Sequence, residues 1–290
     1  MGTPTIVVAV DGAESSRAAV RWAARQGARD GRQLLLVHVL DWDGAGGRYD
    51  WGGRRFEAAR RVAQEFVDRA EDDARTADPS ILVDTKILVG DPAAHLVITS
   101  RPATLMVLGN RGHGGFAGLG LGSVSQRVAT HAYCPVVVVR GRADAGEGPV
   151  AVGVDNAGTA GDVLAAGFAA AQSHGCSLLA VRSCVPVPSA YRTGPHNPDQ
   201  DDTERARLQE QLAPWRTKFP DVPVEVLLSH DSPAAALNGV SRRCRLVVVG
   251  SRGHGVFAGA LLGSTGLQLL HHADCPVLIV RPDDRKDARR

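Results

Sequence analysis

Apolar and polar positions alternate in blocks along this chain, and the block lengths predict a repeating strand-and-helix order. Residues 5 to 10 form a continuous run rich in β-branched side chains, which predicts a strand covered on both faces, as in a parallel sheet. The run stops at Asp11-Gly12. Ser15 or Ser16 is placed to N-cap a helix whose positions Ala18, Ala19, Trp22, Ala23, Gln26 and Gly27 recur at helical spacing until Gly31 ends it. Residues 34 to 40 predict a second strand. Residues 41 to 53 make a long Gly-, Asp- and Trp-containing connection of the mobile or ligand-adjacent kind. A helix over 54 to 76 gathers Phe56, Ala59, Val62, Ala63, Phe66, Val67 and Ala70 on one core-facing stripe. The third strand is expected over 81 to 89, a helix opens at Pro92, and the fourth strand over 105 to 108 ends on Gly109. A helix from Ser123 to about His131 and a strand over 136 to 139 complete the half.

The pattern then begins again after a Gly-, Asp- and Glu-rich linker at 141 to 149. A strand over 150 to 154 ends in Asp155, a helix covers 162 to 174, and a strand covers 178 to 181. A polar connection over 186 to 202 leads to a helix over 202 to 219, interrupted or bent at Pro214. Strands are expected over 224 to 228 and 246 to 249, a helix opens at Ser264, and a strand covers 277 to 280. Residues from 283 onward read as a charged, frayed tail. Each half is α/β with five strands. Right-handed crossovers then give two tandem Rossmann-like domains, each a five-stranded parallel sheet between helices, with a ligand crevice at the strands' carboxyl ends. The expected domain limits are 1 to 143 and 148 to 290.

One stretch carries chemistry in both halves. From Gly109 the chain reads Gly-Asn-Arg-Gly-His-Gly-Gly-Phe and reaches Gly122-Ser123; from Gly250 it reads Gly-Ser-Arg-Gly-His-Gly-Val-Phe and reaches Gly263-Ser264 after the same spacing. Binding a phosphate chain requires many donors in place of its hydration, and backbone amides at a helix N-terminus supply them. Gly109 and Gly112 would let the main chain turn and approach closely, and Gly122-Ser123 would offer free amides and a hydroxyl, aided by the helix dipole. Arg111 and Arg252 could add a cation or join a surface ion pair. His113 and His254 could touch phosphate or stand as exposed loop residues. Asp11 and Asp155, each ending its half's first strand, could bind a ribose hydroxyl, an adenine amino group or Mg²⁺, or cap a turn.

Bulk properties narrow the class. Two domains suit 290 residues, and 44% hydrophobic with 22% charged residues is a globular, not a disordered, composition. A net charge of +2 with scattered basic residues gives little reason to expect nucleic acid. Five cysteines (Cys134, Cys176, Cys184, Cys244 and Cys275) contain no CxxC pair, which fits a reducing cytoplasm better than a disulfide framework. Cys134 and Cys275 precede Pro at strand starts, where burial as small apolar groups is expected. The few residues before the first strand leave no room for a basic, then apolar, then cleavable leader, so none is expected, and no apolar run approaches the roughly 20 residues that span a bilayer. A soluble, cytoplasmic protein away from membranes is therefore expected. No spacing matches a metal site.

On the spacing Gly, two residues, Gly, nine residues, Gly-Ser, the sequence resembles the ATP-binding form of the universal stress protein family, over nearly its whole length as two tandem domains. Val10-Asp11-Gly12, His38-Val39, Gly90-Asp91-Pro92 and the Cys-Pro-Val starts of both fifth strands are similar too. The resemblance implies an adenine nucleotide alpha hydrolase-like fold, with adenine near Asp11 and Val39, and near Asp155 and Val181, and phosphates in the glycine loops. The set it implies is Asp11, Gly12, Val39, Gly109, Arg111, Gly112, His113, Gly114, Gly122, Ser123, Val124 and Ser125 in the first half. In the second half it is Asp155, Val181, Gly250, Arg252, Gly253, His254, Gly255, Gly263, Ser264 and Thr265. Family resemblance also implies a stress role, homodimerisation, and pseudo-twofold pairing of the halves through their fifth strands.

The second half departs from the pattern: Asp231-Ser232-Pro233 stands for Gly90-Asp91-Pro92, Gly266 for Ser125, and Asp155 is followed by Asn156 rather than Gly. Asp231 would repel phosphate and Gly266 removes a hydroxyl donor, so the first site is expected to be the stronger. No Walker lysine and no second carboxylate for a water appear, so the expectation is an ATP-binding regulatory module, with or without Mg²⁺, rather than an enzyme. The alternatives are slow ATP hydrolysis or adenylyl transfer, or a partner-binding scaffold with one site empty.

Overall fold

The computed structural model describes residues 4–42, 53–112, 120–143, 147–155, 160–184, 198–251 and 262–281. The chain divides into two compact units, Met1–Asp144 and Ala145–Arg290. The first contains β1 (Thr5–Ala9), α1 (Glu14–Asp30), β2 (Gln33–Leu40), α2 (Arg54–Ala77), β3 (Val83–Val89), α3 (Pro92–Thr99), β4 (Leu105–Gly109), α4 (Ser123–His131) and β5 (Val136–Val139). The second contains β6 (Val150–Gly153), α5 (Ala160–His174), β7 (Leu178–Ser183), α6 (Pro198–Lys218), β8 (Val224–Ser229), α7 (Pro233–Ser241), β9 (Leu246–Gly250), α8 (Ser264–His272) and β10 (Val277–Val280).

The continuous apolar runs are strands because each is covered on both faces: every residue of β4 and β5 is buried. In the first unit the strands lie in the order β3-β2-β1-β4-β5, all parallel. In the second the order is β10-β9-β6-β7-β8, again all parallel. Helix α1 packs beside α2, and α3 beside α4. Small residues bring α1 close to the sheet: Ala19, Ala23 and Ala24 are fully buried, and Gly31, at φ 63°, closes the helix with its amide on Gly27 O.

Several local expectations are corrected. Ala13 is the N-cap of α1, and Ser15 and Ser16 lie within its first turn, with Ser16 Oγ donating to Ala13 O at 3.0 Å. Val62 is exposed on α2 rather than part of its buried stripe. Helix α6 starts at Pro198, inside the expected connection, and runs through Pro214 without a break. Helix α7, which the apolar pattern of the second half does not announce, connects β8 to β9 and packs on β6, β7 and β9. Most of the expected connection over 41 to 53 and the tail from 283 lie outside the described residues, as does 185 to 197.

Cys134, Cys244 and Cys275 are buried, the first and last as expected at their strand starts. Cys176 and Cys184 are partly buried, and burial pushes both thiols above their ordinary value, Asp201 and Glu204 adding to the effect at Cys184. No helix among the described residues is long and apolar enough to cross a membrane.

Candidate functional site

Strand order reverses between β1 and β4, since β1 leads to β2 on one side while β4 lies on the other. The carboxyl ends of strands part at such a point and leave a crevice. A cleft of about 390 Å³ opens there, within the size range of small-molecule sites. Val10, just after β1, and Val37 and Val39 of β2 give it an apolar side, and Pro92, Leu96 and Leu108 add to it from α3 and β4. Asp11 and Asp41 bring carboxylates. Gly109, Arg111, Gly112, Gly122, Ser123, Val124 and Ser125 bring the loop and the start of α4. Nearly all the described candidates of the first half therefore converge on one cleft.

Gly12 is the exception. It does not line the cleft; at φ 81° it turns the chain under α2, where a Cβ would stand 2.6 Å from the Phe66 ring. His113 and Gly114 lie outside the described residues.

The loop is held at its base by main-chain bonds. Gly122 N donates to Asn110 O at 2.7 Å, and Asn110 N donates to Val139 O at 3.1 Å. Ser15 Oγ donates to Arg111 O, tying the start of α1 to the loop. The glycines are explained differently from the sequence expectation. A Cβ on Gly109 would lie 2.6 Å from the Ser15 main chain, and one on Gly112 would lie 2.5 Å from Asp11 Oδ2. Both positions exclude a side chain because of the protein's own packing. At Gly122 a Cβ would meet nothing closer than 3.5 Å, an ordinary contact. Gly122 is also the N-cap of α4 and contributes no side-chain acceptor, so no side chain caps this helix.

Asp11 does part of what a turn residue does, since its Oδ1 accepts from Ala13 N at 3.0 Å. Ser125 is not a spare donor. Its hydroxyl is buried and donates to Gly109 O at 2.7 Å, locking α4 to the end of β4. Residues outside the candidate set also line the cleft: Ala9, Val10, Ser16, Val37, Asp41, Pro92, Leu96 and Leu108, of which Val10 and Pro92 belong to stretches already marked as similar to the family. The signal for some of them was present, because Val37, Val39 and Asp41 follow the two-residue period of one strand face, and Pro92 and Leu96 the four-residue spacing of one helix face.

In the second half Gly263 N donates to Ser251 O at 2.8 Å and Ser251 N to Val280 O at 2.8 Å, repeating the loop base. Gly263 is likewise an N-cap without a side-chain acceptor, before Ser264 and Thr265. Arg252, Gly253, His254 and Gly255 lie outside the described residues. Register corrects one assignment. Val10 N donates to Val37 O and Val154 N to Val181 O, so Val181 matches Val37, and the counterpart of Val39 is Ser183. Ser183 is not free to meet a ligand as Val39 is; its hydroxyl donates to Asp231 O at 2.7 Å. Where Ser125 bonds Gly109, Gly266 is buried against Leu262, whose Cδ1 would lie 3.1 Å from an added Cβ. Asp231 itself is exposed.

An open parallel sheet with a glycine loop and an uncapped helix start at its switch point defines an α/β protein of the doubly wound, parallel-sheet class. The family model described as "Universal stress protein family" matches twice, over residues 3–140 and 148–281, and the chain belongs to that family. A universal stress protein of Mycolicibacterium smegmatis is 33% identical over 96% of this chain and 97% of its own length. Another, from Mycobacterium tuberculosis, is 33% identical over 95% of this chain and 96% of its own. Among solved structures, a universal stress protein from Archaeoglobus fulgidus has the same fold, with a TM-score of 0.74 at 18% identity over 97% of this chain and 99% of that one.

Proposed function

We propose that the protein is an ATP-binding regulatory module whose principal site is the cleft of the first half. The observation that carries this reading is the start of α4: an N-cap without a side chain, and Gly122 with first-turn residues Ser123 and Val124 lining a cleft. In this reading the amides there receive the phosphates. Arg111, exposed and on the cleft, supplies a cation. Val10, Val37, Val39 and Leu96 offer apolar contact for a base, with Asp11 and Asp41 within the same cleft for ribose or amino groups. ATP brings Mg²⁺ with it as a counter-ion. The second half, with Ser183 and Gly266 at matching positions, is the weaker site.

The module binds rather than turns over. Asp11 is engaged by Ala13 N and stands against Gly112, which favours a structural and base-side role over activation of a water. Nucleotide state then alters partners during stress, and the chain acts in the cytoplasm as a homodimer.

The test is direct. Purified protein is denatured and released nucleotide identified, ATP affinity is measured by calorimetry, and ADP, AMP and pyrophosphate are followed during incubation with ATP and magnesium. Bound or titrating ATP with negligible turnover is expected. No nucleotide and no ATP affinity would refute the reading, and rapid turnover to one product would replace it with an enzyme.

A further inference from the structure

Next in sequence or helix turn to two lining residues of the first cleft, Pro92 and Ser123, stands an ion pair that the nucleotide reading does not use. Arg127 Nη1 lies 3.0 Å and 3.4 Å from the two carboxylate oxygens of Asp91. Asp91 is the N-cap of α3, accepting from Ala94 N at 2.7 Å, and the next residue, Pro92, lines the cleft. Arg127 stands one turn after Ser123 on α4, so the two side chains are neighbours on one helix face, about 5–6 Å apart at their Cβ atoms. Both partners are exposed, at 57% and 53%, the setting in which an ion pair is weak and easily exchanged.

The second half shows what this pair is not for. Ser232 stands for Asp91 and still caps its helix, accepting from Ala235 N at 3.3 Å. Gln268 stands for Arg127, one turn after Ser264 on α8. Helices α7 and α8 pack together as α3 and α4 do. Capping and packing are thus met without either charge. What the charges add, in the first half alone, is a cation parked beside the cleft on a partner it can leave.

We propose that Arg127 is a specificity-determining residue that reads phosphate-chain length: its guanidinium exchanges Asp91 for the terminal phosphate of the bound nucleotide. This rests on the nucleotide reading of the cleft. A terminal phosphate offers more charge and more acceptor oxygens than a carboxylate, and guanidinium pairs with it bidentately. A monophosphate held by the amides at the start of α4 would not extend to Arg127, one turn further along the helix. The first half therefore prefers a nucleoside triphosphate over the monophosphate, whereas the second half, with Ser232 and Gln268, lacks this source of discrimination.

The experiment uses the full chain carrying Gly263→Val, so that the first cleft is read alone, and titrates ATP, ADP and AMP calorimetrically. In Arg127→Gln, the twin residue's chemistry, the ATP-to-AMP affinity ratio should fall about tenfold while AMP affinity stays within about twofold. Arg127→Lys should recover part of the ratio. Asp91→Ser keeps the cap and should raise ATP affinity severalfold by freeing the cation and removing a competing anion. An unchanged ratio in Arg127→Gln overturns the proposal while leaving nucleotide binding intact. Absence of binding by any of the three nucleotides overturns the nucleotide reading itself, and this inference with it.

Discussion

The two halves share a backbone plan but place opposite chemistry beneath their first strands. In the first half His38 is buried, its Nδ1 at 2.7 Å from Val10 O and its ring edge-on to Phe66 at 5.7 Å. In the second, Arg182 takes that position, only 3% exposed, with Nη2 bonded to Gln211 Oε1 at 2.6 Å and to Asp155 O at 3.3 Å. It also pairs with Glu204 at 3.3 Å, and Glu204 in turn pairs with Arg207 at 2.6 Å. The matching positions on α2 are Ala63, Phe66 and Ala70. One small apolar and aromatic cluster has become an ionic network. Because a buried guanidinium must have its donors met, several α6 residues are coupled to one substitution in β7. A repeat can thus keep its fold while its halves drift apart in groups, not singly.

The largest break expected in that comparison comes from Arg182→Ala. Gln211 and the Asp155 carbonyl would lose their buried donor while Glu204 keeps Arg207, and the second half should lose about 2 kcal/mol in urea unfolding. His38→Ala should cost clearly less. Equal losses would show that the network contributes no more than packing.

Next is Gly122→Val, whose Cβ meets the main chain of residues 110 to 112 only at ordinary contact, 3.5 Å or more, and whose side chain would stand at the cleft wall before α4. ATP affinity should fall at least about tenfold, or about 1.4 kcal/mol, with little change in melting temperature. Gly263→Val should reduce total binding less, and a larger loss there would reverse the ranking of the sites. A smaller effect is expected for Ser125→Gly, which gives the first half the second half's residue. It leaves Gly109 O without its buried donor, and thermal unfolding should register about 1 kcal/mol.

The smallest effect concerns acid. Backbone donation from Ala94, followed by Arg127, holds the Asp91 carboxyl below its ordinary value. A carboxyl depressed on folding stabilises above its unfolded pKa of about 4, and that contribution is lost as pH falls through the lower folded value. Asp91→Ser should therefore flatten the acid limb of stability below about pH 4 slightly. No difference between the curves would mean that this exposed carboxylate is energetically silent.

Much of this was legible in the sequence. Continuous β-branched runs mark buried parallel strands, and the glycine spacing marks the loop and the helix start. The reasons for the glycines were not legible, because what Gly109 and Gly112 avoid is Ser15 and Asp11, residues about a hundred positions away. The twin of Val39 was also hidden. Matching valine to valine selects Val181, whereas the hydrogen bonds from Val10 and Val154 fix the register two residues further on, at Ser183. Ser16 looks like a cap because caps and first-turn serines share residue types, and only the backbone angles of Ala13 separate them.

The bond from Gly122 N to Asn110 O, matched by Gly263 N to Ser251 O, has a bearing on how such a chain can vary. It fixes Asn110 and Gly122, the two ends of the intervening sequence, beside each other. Doubling the length of a closed loop costs only about 0.6 kcal/mol in chain entropy. Insertions between these anchors would thus be borne by the loop and not passed on to β4 or α4, making this a favourable place to graft a reporter peptide without disturbing the sheet.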